Sequence, residues 1–163
     1  MLKLSNITKS FPGVRALSGI NLEIRAGEIH ALVGDNGAGK STMIKIIAGA
    51  YQPDGGEIEF DGHRLQAVTP ASAKRAGIHV IYQEFVLFPH LSVAENIFLG
   101  YERTGRFGLV DHKQTRRDAV ELLARLGVDI DPDRMVSELT VADQQMVEIS
   151  KALVHKVKLL ILD

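Results

Sequence analysis

The sequence predicts an α/β fold: a core sheet of the parallel kind, an antiparallel side sheet and a mostly helical segment. Three observations carry this. Short apolar runs alternate with amphipathic helical patterns, as in sheets whose strands are joined by helices. The first 30 residues carry strand patterns and no helix pattern. One apolar run leads directly into a glycine-rich loop and then into a helix.

The elements follow in order. Ile20, Leu22 and Ile24 alternate with polar residues, the period of a half-buried strand, and Ala26-Gly27 marks a turn. Glu28 to Val33 (EIHALV) reads as a strand buried on both faces. Gly34 to Gly39 is a glycine-rich loop. Ser41 to Ala48 places Met43, Ile44, Ile46 and Ile47 at helical spacing, and Gly49 suits the C-cap. Pro53 to Gly56 is a turn. Ile58 and Phe60 flank a polar residue, and Asp61-Gly62 follows as a hairpin signal. Ile78 to Tyr82 is a buried-strand run. Ser92 with Glu95 forms a capping box before Ile97, Phe98 and Leu99. His112 to Leu126 is a charged amphipathic helix closed by Gly127. Thr140 to Val154 is another, with Met146, Ile149, Ala152 and Leu153 on one face. Leu159 to Leu162 is a last apolar strand, ending at Asp163.

Composition bounds the function. The chain has 163 residues, 45% hydrophobic and 24% charged, near the averages for globular proteins. A net charge of -1 gives no general attraction to nucleic acid or anionic membrane. Without cysteine there is no disulfide framework and no thiolate metal site. The six histidines form no pair with convincing metal spacing. No run of apolar residues is long enough to span a membrane, and the first residues lack the apolar core of a secretory signal. These readings place the chain in the cytoplasm.

The strongest chemical signal is Gly34-Asp35-Asn36-Gly37-Ala38-Gly39-Lys40-Ser41-Thr42, a full match to G-x-x-x-x-G-K-[ST]. A triphosphate presents clustered negative charge. Glycines let backbone N–H groups curl around it without Cβ obstruction, and the following helix points its positive end at the same phosphates. Lys40 would neutralise the β- and γ-phosphates, and the Ser41 hydroxyl would ligate Mg²⁺. The second half of such a site is a strand ending in an acidic residue that reaches the metal. Leu159 to Leu162 followed by Asp163 has that form.

Further segments narrow the class. Gln83 lies in IYQEFVLFPHLSVAENI, and LTVADQQMVEISKAL follows. These resemble the Q-loop and signature segment of ATP-binding cassette proteins. With FPGVRAL, GEIHALVGDNGAGKST and IIAGAYQPDGGEI, the chain is similar to the first cassette of the tandem ATPases that drive monosaccharide importers. The resemblance implies a P-loop NTPase core with a β side sheet over about 1–84, a helical subdomain over about 85–155 and a Walker B strand over 158–163. It implies adenine stacking on Phe11, and contact of Gln83 with the metal or the attacking water. It sets the signature at Leu139, Thr140, Val141, Ala142, Asp143 and Gln144, facing a second cassette's nucleotide. The implied cofactors are ATP and Mg²⁺. The implied partners are a second cassette in the same full-length chain, transmembrane permease subunits and, through them, an external sugar-binding protein, with no nucleic acid. The implied location is peripheral, on the cytoplasmic face of the membrane.

Two departures from the family pattern stand out. The signature usually reads L-S-G-G-Q. Here both glycines are replaced and Asp143 adds a negative charge, a pattern often met in first cassettes of tandem sugar ATPases. The family also places a glutamate directly after the position of Asp163 and a histidine some thirty residues later, so the resemblance implies a C-terminally truncated cassette. Binding without turnover is the expectation for the chain by itself. Alternatives are a cassette importing another small solute, a nucleotide-binding module, and a P-loop kinase or GTPase. A GTPase is disfavoured by the absence of an Asn-Lys-x-Asp guanine motif. A DNA-repair or translation cassette would need more basic clustering than Lys74-Arg75 and Arg116-Arg117 supply.

Overall fold

The computed structural model describes residues 1–82, 86–105 and 108–163. It divides into two compact units. One comprises Met1–Val80 with Lys158–Ile161 and Asp163, and the other Ile81–Val157 with Leu162.

The first unit is built on a four-stranded antiparallel sheet of order β2-β1-β3-β4, with β1 at Leu2–Phe11, β2 at Val14–Ile24, β3 at Gly55–Phe60 and β4 at His63–Leu65. Leu2 and Leu4 of β1 are buried, and then the parity shifts to Ile7. The cause is Asn6, held at φ 53 with its N–H donating to Asn21 Oδ1 at 2.9 Å, where the β1–β2 register slips. A bulge of this kind re-aims every later side chain. The β3–β4 turn has Asp61 at φ 56 and Gly62 at φ 80, the left-handed pair that the Asp-Gly signal demands. Helix α1 (Lys40–Ile47) buries Met43, Ile44, Ile46 and Ile47, and Gly49 beyond it takes φ 76. Of these, Met43, Ile46 and Ile47 join Leu2, Leu4, Ile7, Ile58 and Phe60 in one core cluster.

Helix α2 (Pro70–Ala76) was not expected from periodicity. It is too short to show any, but Thr69, Pro70 and Ser72 form a capping box with proline in the first turn, and Gly77 at φ 96 ends it. Strand β5 (Ile78–Ile81) pairs with β6 (Leu159–Leu162) in a separate two-stranded sheet. The Lys158 ammonium bonds the Asp61 carboxylate and ties β6 to the β3–β4 turn.

One expected strand is absent. Glu28 to Val33 forms no strand, and Ile29 and Val33 are 102% and 88% exposed. A strand buried on both faces exists only as part of a ladder with neighbours on each side. None of the described residues pairs with this run. The apolar run is therefore present and its burial is not.

The second unit is helical. It contains α3 (Val93–Phe98), α4 (His112–Arg125), a 3-10 turn (Val136–Glu138) and α5 (Val141–Leu153). Ser92 and Glu95 close their capping box around the start of α3. Val93, Ile97, Ala119, Leu123, Val136 and Val147 are among its core. The most deeply buried positions of α5 lie beside the apolar face read from the sequence. Val147 and Ser150 are fully buried, whereas Met146, Ile149, Ala152 and Leu153 are half-buried. Ser150 escapes a hydrophobicity count because its hydroxyl donates to Met146 O at 2.7 Å, within its own helix.

Candidate nucleotide site

The phosphate loop joins the exposed run to α1. Ala38 N–H donates to Asp35 O at 3.1 Å, closing a turn, and Gly37 and Gly39 take φ 85 and 86. Gly39 has a second constraint. A Cβ there would lie 2.5 Å from Ala16 O and 2.7 Å from Leu17 Cδ2. The loop is thus pinned against β2 by backbone-to-backbone approach, which only glycine permits. Immediately after it, α1 starts with no side-chain cap and no acidic residue in its first turn. Its first N–H groups are left for an outside anion.

Lys40 Nζ donates to Gly34 O at 2.5 Å and Asp35 O at 2.8 Å, lying back across the loop. The Ser41 hydroxyl donates to Asp163 Oδ1 at 3.3 Å. Two residues 122 positions apart in sequence are brought together, one at the head of α1 and one at the end of β6. A hydroxyl and a carboxylate at this spacing offer two oxygen donors of the kind that suits a hard divalent cation. Gly34 to Ala38 are exposed, Lys40 and Thr42 half-buried.

Phe11 lies at the tip of β1, half-buried and outside the core cluster. The register sets it near the loop. Lys9 pairs with Leu17 and Phe11 with Val14, and Ala16 and Leu17 are the residues Gly39 abuts. Gln83 lies outside the described residues.

The signature segment belongs to the second unit. Leu139 is buried, and Val141 is 64% exposed. Thr140 caps α5: its Oγ1 accepts from Asp143 N at 3.2 Å and donates to Asp143 Oδ2 at 2.8 Å. The α5 N-terminus therefore already carries an anion of its own. Gln144 Nε2 donates to Leu139 O at 3.3 Å, so its amide faces the preceding backbone.

Two organising contacts carry little signal in the sequence. Asn96, fully buried, accepts from Phe88 N at 2.7 Å and donates to Phe88 O, Leu91 O and Ser92 O, fixing the chain before α3. Val86 is gripped on both backbone groups, its N–H by Glu148 Oε1 at 2.7 Å and its carbonyl by Lys151 Nζ at 2.8 Å. A polar residue inside an apolar capping-box helix was the available clue for Asn96. The grip on Val86 needs the tertiary fold to be seen.

Fold and loop together are those of the P-loop α/β class. The chain belongs to the ABC transporter family, which it matches over residues 17–163. It is 54% identical over 163 residues to the ribose import ATP-binding protein RbsA 1 of Rubrobacter xylanophilus, covering 100% of this chain and 32% of that protein. It is 52% identical over 164 residues to the putative ribose/galactose/methyl galactoside import ATP-binding protein 3 of Burkholderia ambifaria, with the same coverage. The chain thus spans about a third of the length of these relatives. Among solved structures it is similar to a dimeric ATP-binding cassette in a post-hydrolysis state bound to ADP and Pi. The TM-score is 0.80 at 28% identity, over 100% of this chain and 73% of that one.

Proposed function

We propose that this chain is the nucleotide-binding part of an ATPase driving monosaccharide import. The observation that carries the reading is the phosphate loop with its Ser41–Asp163 pair. Backbone N–H groups of the loop and of the α1 N-terminus face the triphosphate, and Lys40 exchanges its two carbonyl partners for phosphate oxygens. Ser41 and Asp163, with Gln83, are the residues that would hold Mg²⁺, which when bound neutralises phosphate charge. Phe11 stacks on adenine. The sugar class follows from the names of the relatives, and full-length partners follow from the same similarity: a second cassette, permease subunits and an external sugar-binding protein. The protein then sits at the cytoplasmic face of the membrane, and the described residues contain no helix able to cross it.

The signature argues for asymmetry between two nucleotide sites. Val141 and Ala142 put Cβ atoms where close backbone approach to a phosphate is needed, and Asp143 holds negative charge at the α5 N-terminus. The intact phosphate loop here pairs with a competent signature elsewhere, while this signature serves a weak site.

Titration of the chain with a fluorescent ATP analogue tests the reading. Binding is expected, and Lys40→Ala should remove most of it without unfolding the chain. Unchanged affinity in Lys40→Ala would overturn the phosphate-loop assignment.

A further inference from the structure

The segment following α1 carries an aromatic and an acidic residue aimed at the tip of β1. Ala50 and Tyr51 N–H groups both donate to Lys45 O, at 2.8 and 3.1 Å, so Tyr51 is fastened to the last turn of α1. Its ring meets Phe11 edge-on, with centroids 5.5 Å apart and planes at 68°. Lys45 Nζ lies 5.5 Å from the Tyr51 centroid. Asp54 holds the same strand tip by its backbone. Its Oδ2 accepts from Ser10 N at 2.6 Å, its Oδ1 from Lys9 Nζ at 2.8 Å, and its own N–H donates to Thr8 O at 2.8 Å. The Lys9 ammonium and the Ser10 N–H hold its carboxyl below the usual aspartate range.

We propose that Tyr51 and Asp54 are positioning residues for the base-stacking ring of Phe11, and so set adenine affinity at this site without touching the phosphates. The inference rests on the reading of Phe11 as the adenine platform. One helix then governs both ends of the nucleotide: Lys40 and Ser41 at its N-terminus meet the phosphates, and Tyr51 beyond its C-terminus fixes the base platform. An aromatic held edge-to-face has lost the freedom to leave its stacking orientation. The Lys9 ammonium, itself held by Asp54, lies 5.7 Å from the Phe11 ring centroid and adds to that hold. Tyr51 is 36% exposed and no part of the core cluster, so the unit folds without calling on its ring.

The test uses the full-length protein, with the contribution of this phosphate loop defined as the binding that Lys40→Ala removes. Two ligands are titrated: ATP, and tripolyphosphate, which has no base. Tyr51→Ala should weaken ATP about two- to tenfold, the scale of one aromatic pair, and leave tripolyphosphate unchanged. Tyr51→Phe keeps the ring and should restore ATP affinity. Asp54→Asn should weaken ATP alone by a smaller factor. In a Phe11→Ala background, Tyr51→Ala should have no further effect on ATP. The proposal is overturned if Tyr51→Ala leaves ATP unchanged while Phe11→Ala weakens it, or if its effect persists without Phe11. It is also overturned if Tyr51→Ala and Tyr51→Leu both weaken tripolyphosphate as much as ATP, since Tyr51 then acts through α1. Should Phe11→Ala itself leave ATP affinity intact, the platform reading fails first, and that outcome is read from Phe11 alone.

Discussion

At the scale of single residues, the two left-handed glycines of the phosphate loop separate two kinds of constraint. Gly37 takes φ 85 with nothing within 4 Å of a would-be Cβ, so alanine there meets backbone strain alone, about 1–2 kcal/mol. Gly39 takes φ 86 and also faces Ala16 O at 2.5 Å, an atom of a paired strand that has little room to retreat. Gly39→Ala should therefore cost more stability than Gly37→Ala and should also move the loop off β2. Denaturant unfolding of the two variants, with ATP-analogue affinity measured beside it, checks this; equal losses would mean that β2 yields at Ala16. The glycines, Lys40 and Ser41 were legible as types at fixed spacing, and Asp163 as the acid that ends an apolar strand. What spacing did not carry was the reason Gly39 is glycine, which lies on a strand more than twenty residues upstream. Tyr51 was equally silent, since one tyrosine after a helix has no period and no motif until Phe11 is placed against it.

At the scale of elements, local rules read well and tertiary ones less so. The Ser92–Glu95 capping box, the Asp61-Gly62 turn and the Gly127 stop after α4 are short-range chemistry, and each formed where the residues put it. Ser150 of α5 is fully buried yet does not register as apolar in the sequence. Helix α2 went unseen because seven residues are too few for a period to emerge. The capping box has a measurable consequence. The Ser92 backbone N–H, then the Ser92 hydroxyl, hold the Glu95 carboxyl below its ordinary value, with a smaller contribution from His112. A carboxyl depressed in the folded state contributes stability that is fully present above its unfolded pKa of about 4.3 and is lost as pH falls through the lower folded value. Unfolding free energy measured between about pH 6 and pH 3 should fall less steeply in Glu95→Gln than in the parent. Glu95→Gln keeps an acceptor at the third helical position, so its cost near pH 6 should be no more than about 1 kcal/mol. Parallel pH profiles would remove Glu95 from the acid transition.

At the scale of the whole molecule, the element that departs from expectation is also the one with the largest physical consequence. Ile29 and Val33 project fully or nearly so into solvent, with Leu32 at 40% exposure between them. Burying a side chain of this size contributes about 1.5–3 kcal/mol, so leaving it in water forgoes that amount. Three large apolar residues in five, on backbone that joins no sheet, form the sort of surface that pairs with another chain. The phosphate loop begins at the residue after Val33, so whatever covers the run also steadies the loop. The 163-residue chain should accordingly self-associate as concentration rises, and light scattering over a dilution series reads this as a weight-average mass that increases from the monomer value of 17.8 kDa. Ile29→Lys combined with Val33→Lys should restore the monomer, because both side chains already stand in solvent and the new charges repel a second copy. The core cluster of the first unit includes neither residue, so the double variant should unfold at nearly the parent's denaturant midpoint. A parent chain that stays monomeric at every concentration would show that the run is already covered in solution. A double variant that dissociates but also unfolds early would place these side chains in the core after all.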